Sequence, residues 1–294
     1  MTFAEKLKSL RKQPGMSQEM LAEKLGVSRQ AITKWETAAG IPDIENIKAI
    51  SLLFDISIDE LVMDQKRDVS ASDFLFESVT EYDIDEPKRY DMKLGGAKRL
   101  VVAGYDGEKI KVRLASNTIS SIQTDFKVKI DDVKKRIDVD LFRKNGMTEA
   151  VAKEELTIFV SIPSPYLGHI EVEINADTIE VSNIECEDIE FDAKARNLEL
   201  TNVAGIVEVN CNLDMDVICH SLNGNVEINQ ISATSRIGVP EGTDFIAQCK
   251  GIATSISYEK NNVAVPAFCS EESDNLIELN GVKSELVIYT LQEV

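Results

Sequence analysis

The sequence predicts two folds in series, a small all-α domain followed by a larger all-β domain. Three observations carry that expectation. Residues 16–36 hold two short helical patterns on either side of Gly26. From about Tyr90 onward the apolar period falls from helical to two. The formal charge of −19 lies wholly after residue 67, because residues 1–67 carry ten Lys and Arg against ten Asp and Glu. Length agrees, since 294 residues fit about two domains.

The helical elements follow from local chemistry. Ser17 precedes a run of good helix formers (Glu19, Leu21, Ala22, Glu23, Lys24, Leu25), where an N-cap belongs. Leu21 and Leu25 are four apart and share a face, and Gly26 stands where a left-handed C-terminal residue is wanted. Ser28 caps a second helix whose inner face is Ala31, Ile32 and Trp35. That leaves Arg29, Gln30, Thr33 and Lys34 outside, side-chain types that bond to base edges and phosphates in a major groove. The pattern is a helix-turn-helix. Trp35 reads as core rather than as a stacking platform, together with Leu7, Leu10, Leu21, Leu25, Ile32, Ile47, Ile50, Leu53 and Leu61.

Residues 3–63 resemble the Cro/CI-type, or XRE-like, helix-turn-helix regulators. Leu10-Arg11, Ser17-Gln18, Leu21-Ala22, Leu25 to Gln30, Ile32, Lys34 to Glu36, Pro42-Asp43, Ile47 and Ile58 to Leu61 carry the resemblance. It implies five helices and double-stranded DNA as partner. Position by position, it implies that Ser17 and Gln18 hold the DNA backbone at the start of helix 2, with Gln18 also bracing the recognition helix. Ser28, Arg29, Gln30, Thr33 and Lys34 belong to the recognition helix itself. Arg29 suits guanine and Gln30 suits adenine. Arg11 and Glu36 match an ion pair that ties helix 1 to helix 3. After Glu36 the chain departs from the family, with Thr37-Ala38-Ala39-Gly40 where Gly is usual two residues on.

The helical domain is placed at 1–66, a linker at 67–92 and the acidic β-domain at 93–294. Asp64 to Asp73 and Asp83-Ile-Asp-Glu-Pro87 are polar and acidic, which suggests a linker that Phe74, Leu75 and Phe76 interrupt. Strands are expected at 100–103, 109–114, 126–130, 136–141 and 156–162, the last ended by Pro163. Lys134-Lys135-Arg136 reads as a solvated hairpin turn. Apolar-acid-apolar triplets centred on Glu180, Glu190, Glu199, Glu208, Asp216 and Glu227 then recur at gaps of 8 to 11 residues, with Asn between them. Asn tolerates the left-handed backbone of sharp corners. A parallel β-solenoid is favoured, each coil burying a row that no coil buries alone; a β-sandwich is the rival. Ser161-Ile162-Pro163, Ile170 to Ile174 and Asn223 to Ile228 resemble the adhesin-type β-strand-repeat family. Without a signal peptide, lipidation motif or membrane-length apolar run, a cytoplasmic location is expected, and adhesion is not inferred.

The triplets suggest two outward carboxylate rows, Glu180, Glu199 and Asp216 on one face and Glu190, Glu208 and Glu227 on the other. Charges about 4.8 Å apart in bulk water repel by roughly 0.9 kcal/mol, which an ordinary solvated face tolerates. The sharper alternative, a row that collects divalent cations or a basic partner, would gain stability as pH falls toward about 5. Cys186, Cys211, Cys219, Cys249 and Cys269 form no C-x-x-C pair and read as reduced thiols. Cys219 and His220 are adjacent and point apart on a strand, and His169 follows Gly168 in a turn. No metal, cofactor or catalytic motif is expected, and a carbohydrate-cleaving enzyme using paired carboxylates has nothing specific behind it.

The expectation is therefore a DNA-binding regulator rather than an enzyme. It would be a homodimeric repressor reading an inverted repeat, with the acidic β-domain serving oligomerisation or the sensing of an effector or protein partner. Phosphates repel that acidic domain, so it is not a second DNA surface. The alternative is a structural protein that assembles through its solenoid, with the helical domain as a tether.

Overall fold

The chain divides into two units, Met1–Asp73 and Phe74–Val294, each with its own core. The computed structural model describes residues 3–12, 16–36, 40–54, 56 and 74–291. Among them the first unit holds helices α1 (Phe3–Lys12), α2 (Gln18–Leu25), α3 (Arg29–Glu36) and α4 (Ile44–Phe54). The expected fifth helix, Leu61 and the 37–39 exit from α3 lie outside the described residues.

The caps sit where the sequence puts them. Ser17 is extended and its hydroxyl accepts from the Met20 N–H at 3.2 Å. Gly26 ends α2 at φ 67°, and the Val27 N–H returns to the Ala22 carbonyl at 3.0 Å. Ser28 accepts from the Ala31 N–H at 3.2 Å to start α3. Leu7, Leu21, Ala22, Ile32, Trp35 and Ile50 are buried together, with Leu10, Leu25, Ile47 and Leu53 packed around them. Each large side chain so buried contributes about 1.5–3 kcal/mol.

The second unit is dominated by strands. β1 (Phe76–Asp83) pairs antiparallel with β3 (Lys109–Ser116), and β3 pairs antiparallel with β6 (Thr157–Pro163). The long β2 (Lys88–Tyr105) runs parallel to β6 at one end and to β5 (Arg136–Arg143) at the other; β5 forms a hairpin with β4 (Phe126–Val133). Lys134, at φ 60°, and Lys135 make its turn. β1 and the start of β2 fall inside the span expected as linker. That stretch is polar because β1 is an edge strand with one solvated face, while Ile84 and Lys88 go inward. Lys88 is satisfied there by Asp132 and Glu86, both at 3.2 Å. Two short helices also interrupt the strands, α5 (Ile122–Asp125) and α6 (Glu149–Glu155). Thr148 caps α6 by accepting from the Val151 N–H at 3.3 Å.

From β7 (Leu167–Lys194) on, the pairing is parallel apart from one final turn-back. One ladder runs through β2, β7, β8 (Asn197–Asn210), β9 (Asp216–Cys219), β11 (Thr234–Val239), β16 (Glu285–Thr290) and β13 (Ser255–Lys260). The other joins the later half of β7 to the later half of β8, then β10 (Asn223–Ile231), β15 (Leu276–Val282) and β12 (Ile246–Ile252). β14 (Val263–Ala264) folds back antiparallel on β13. Partners align like with like: Ile179, Leu198, Val217, Ile237 and Ile288 make one buried row. Phe191, Val209, Ile228 and Leu279 make another. Asn183 and Asn202 both sit at φ 54° at corresponding corners, and Asn202 donates to the Asn183 side-chain oxygen at 3.0 Å.

One expected carboxylate row forms and the other does not. Glu190, Glu208 and Glu227 are in register and continue to Glu278. Glu180 pairs with Glu199, but Glu199 then faces Ile218, and Asp216 is set beside Asn197 and Arg236. The reason is spacing. Glu180 and Glu199 are one full repeat apart, whereas Asp216 comes two residues too early in the next.

Candidate nucleic-acid interface

The sequence-derived DNA-contacting residues all fall on α2, α3 and their caps. Arg29, Gln30, Thr33 and Lys34 are exposed on α3, Ser17 and Ser28 are exposed caps, and Gln18 is half-buried. Helical spacing puts Arg29 next to Thr33 and Gln30 next to Lys34 on adjoining ridges of one face. The opposite face of α3, with Ile32 and Trp35, is buried. The polar face is therefore held by a packed core.

A small polar network fixes the angle of α3. Arg11 on α1 donates from Nε to Glu36 Oε1 at 2.6 Å and from Nη2 to Oε2 at 2.9 Å. It also donates from Nη1 to the Met16 carbonyl at 2.7 Å. Gln18 donates to Glu36 Oε2 at 2.8 Å and accepts from the Thr33 hydroxyl at 3.2 Å. One amide thus bridges the buried ion pair and the exposed face, the bracing role implied for Gln18. Burial opposes the Glu36 charge, but the Arg11 and Gln18 hydrogen bonds outweigh it and hold its carboxyl below the ordinary 4.5. The same pair raises the Arg11 guanidinium, chiefly through its hydrogen bond to Glu36.

Arg29 lies 3.8 Å from Glu19, both largely exposed. Such a pair contributes about 0–1 kcal/mol, so it orients Arg29 without withholding it. The start of each capped helix presents backbone N–H groups and the positive end of its dipole, a setting suited to phosphates.

Elsewhere the expected residues separate. Cys219, the last residue of β9, is buried, and His220 just after the strand is exposed. His169 lies within β7 rather than in a turn. Burial pushes the Cys186 and Cys219 thiols up to about 12. Among the described residues no three His, Cys, Asp or Glu side chains are grouped to hold a metal ion. Three of the in-register carboxylates have amide partners instead: Asn210 donates to Glu190 at 2.9 Å, Asn229 to Glu208 at 2.7 Å and Asn280 to Glu278 at 2.8 Å. Those amides come from the neighbouring row, a connection the triplet pattern alone does not reveal. No helix is long and apolar enough among the described residues to cross a membrane.

A helix-turn-helix family model matches residues 7–61. The transcriptional activator BcrR of Enterococcus faecalis is 52% identical over 62 residues, which are 21% of this chain and 30% of BcrR. The phage CTXphi transcriptional repressor RstR of Vibrio cholerae is 30% identical over 95 residues, 32% of this chain and 85% of RstR. The chain therefore spans less than a third of BcrR and most of RstR. In the β-rich unit, a candidate cell adhesion protein of Clostridium sporogenes aligns at 13% identity and a TM-score of 0.38, covering 74% of this chain and 99% of that one.

Proposed function

This chain belongs to the helix-turn-helix family, and we propose that it is a sequence-specific DNA-binding transcriptional regulator. The observation that carries the proposal is the braced α3, with Arg29, Gln30, Thr33 and Lys34 exposed on a helix whose other side is core. In a major groove, the Arg29 fork matches guanine O6 and N7 and the Gln30 amide matches adenine N6 and N7. Thr33 and Lys34 lie beside them for contacts to base or phosphate, and the capped starts of α2 and α3, at Ser17-Gln18 and Ser28, take phosphates. Two copies bound to an inverted repeat would set their α3 helices about 34 Å apart.

Repression of a promoter by occupancy is the proposed mode, and the cytoplasm the proposed location. We read a DNA-binding domain at 1–66 and a β-rich domain that begins at Phe74, inside the 67–92 span expected as linker. Parallel ladders in which Ile179 meets Leu198 and Leu198 meets Val217 support a solenoid reading of the second domain. Its proposed role is oligomerisation or sensing. A second reading, assembly through strand edges, is favoured by β12, which among the described residues pairs on one side only, with β15.

The test is selection from randomised duplex DNA with full-length protein beside a Gln30→Ala/Lys34→Ala variant. An inverted repeat enriched by the parent and lost in the variant is the expected result. Absence of enrichment from folded parent protein would overturn the proposal. Sedimentation separates the second reading, since a dimer that keeps its size on concentration argues against edge assembly.

A further inference from the structure

A depression of about 410 Å³ opens where β5, β2 and β7 lie side by side. Register puts Arg136 of β5 opposite Arg89 of β2. On β7 the pairing slips at that level. Lys88 meets Leu167 and Tyr90 meets Ile170, so Gly168 and His169 together oppose Arg89. This bulge takes the His169 side chain out of regular alternation. A second slip, between Glu185 and Asp188, occurs one repeat later, and the Asp188 carboxylate hydrogen-bonds His169 Nδ1. Two irregularities of the long β7, one repeat apart, thus serve one histidine.

Two of the three cations around it have no ion-pair partner among the described residues. His169 Nε2 is buried with no hydrogen-bond partner. Arg89 and Lys135 line the same depression, and among the described residues neither side chain has a partner. Elsewhere in this unit Arg99 pairs with Glu180, Arg113 with Glu77, Arg143 with Glu149 and Arg236 with Glu259, while Arg196 is an exposed arginine without a side-chain partner among the described residues. In a chain with 51 acidic and 32 basic side chains, Arg89 and Lys135 stand out as two such cations side by side on one depression, the Arg89 N–H bonding the Lys135 carbonyl at 2.9 Å. Two residues along the strands, about 7 Å away, the row reads Asp138, Asp91 and Glu171. Arg136 is turned to that acidic row, donating to Asp138 at 3.0 Å.

We propose that this depression binds a small hydroxylated phosphate monoester. Its phosphate would be held by Arg89 and Lys135 beside the His169 ring, and its hydroxyls would donate to Asp91 and Glu171. A phosphate dianion accepts from several converging donors at once, which the Arg89 guanidinium on β2 and the Lys135 ammonium on the β4–β5 turn supply. The volume is that of a small-ligand site. The inference gives a chemical identity to the sensing role proposed above and rests on that reading for its purpose. Its binding test is independent of DNA.

The experiment is proton NMR of the imidazoles in full-length protein at fixed pH and ionic strength, titrated with inorganic phosphate, glycerol 3-phosphate or acetate. The chain has two histidines, so His220→Gln assigns the signals. A saturable shift at His169 and not at His220 is expected with both phosphates, tighter for the ester. Arg89→Gln and Lys135→Gln should each weaken it about tenfold, with melting temperature and the His220 signal confirming their fold. No saturable shift with either phosphate would overturn the site. A response unchanged in both variants would do the same, and an equal response to acetate would overturn the phosphate assignment. Any of these results leaves the DNA selection untouched.

Discussion

Glu36 shows how one side chain can serve both the fold and the reading face. Its two oxygens take Arg11 from α1 and Gln18 from α2, and Gln18 in turn accepts from Thr33. Glu36→Gln would leave the Arg11 charge buried without its counter-ion, at a cost of about 3 kcal/mol, a large share of what a small domain has. We expect that variant to lose DNA binding through unfolding of the helical unit, seen as a lost helical signal at ordinary temperature. Because the folded Glu36 carboxyl titrates below 4.5, its contribution is complete above that value and is lost as pH falls through the folded pKa. Acid should therefore melt the helical unit as pH falls through that folded pKa, read as loss of its helical signal. Lys34→Ala acts differently: it should keep the fold and reduce the salt dependence of binding by about one counter-ion if Lys34 meets a phosphate.

At the scale of elements, the corners decide the β-rich unit. Gly224 stands at φ 122°, and a Cβ there would lie 2.2 Å from the Gly205 carbonyl oxygen. Gly242 also has positive φ, 82°, but open space around it. Gly242→Ala should cost about 1 kcal/mol, the strain of the backbone alone. Gly224→Ala must also push two strands apart, so its melting temperature should fall much further. The same elements show what a sequence discloses. Ser17, Gly26 and Ser28 were legible because caps act within three or four residues. The strand repeats were legible because each aliphatic row is written into every repeat. Triplet spacing alone misplaces Asp216, which falls two residues short of the full repeat that separates Glu180 from Glu199. The polar composition of 76–92 hid an edge strand, and the pairing of His169 with Asp188 depends on two bulges that leave no mark in composition. The Thr148 cap and the helix-forming run after it were present in the sequence, but the surrounding strand pattern obscured them.

At the scale of the whole molecule, the order of strands in space is not their order along the chain. β15 lies between β10 and β12, and β16 between β11 and β13. Ending the chain at residue 275 should therefore strip hydrogen-exchange protection from β12 and β13 as well, although their residues remain. As the ribosome delivers this protein, residues 246–260 emerge before the pair they must rest against exists. They have either to wait unpaired or to make a provisional contact with β10 and β11 that is later surrendered. The nascent domain is thus completed by a wedge rather than by adding one more layer at its end. An interrupted chain would carry an unsheltered pair of strands, a mark by which proteases could tell unfinished copies from finished ones.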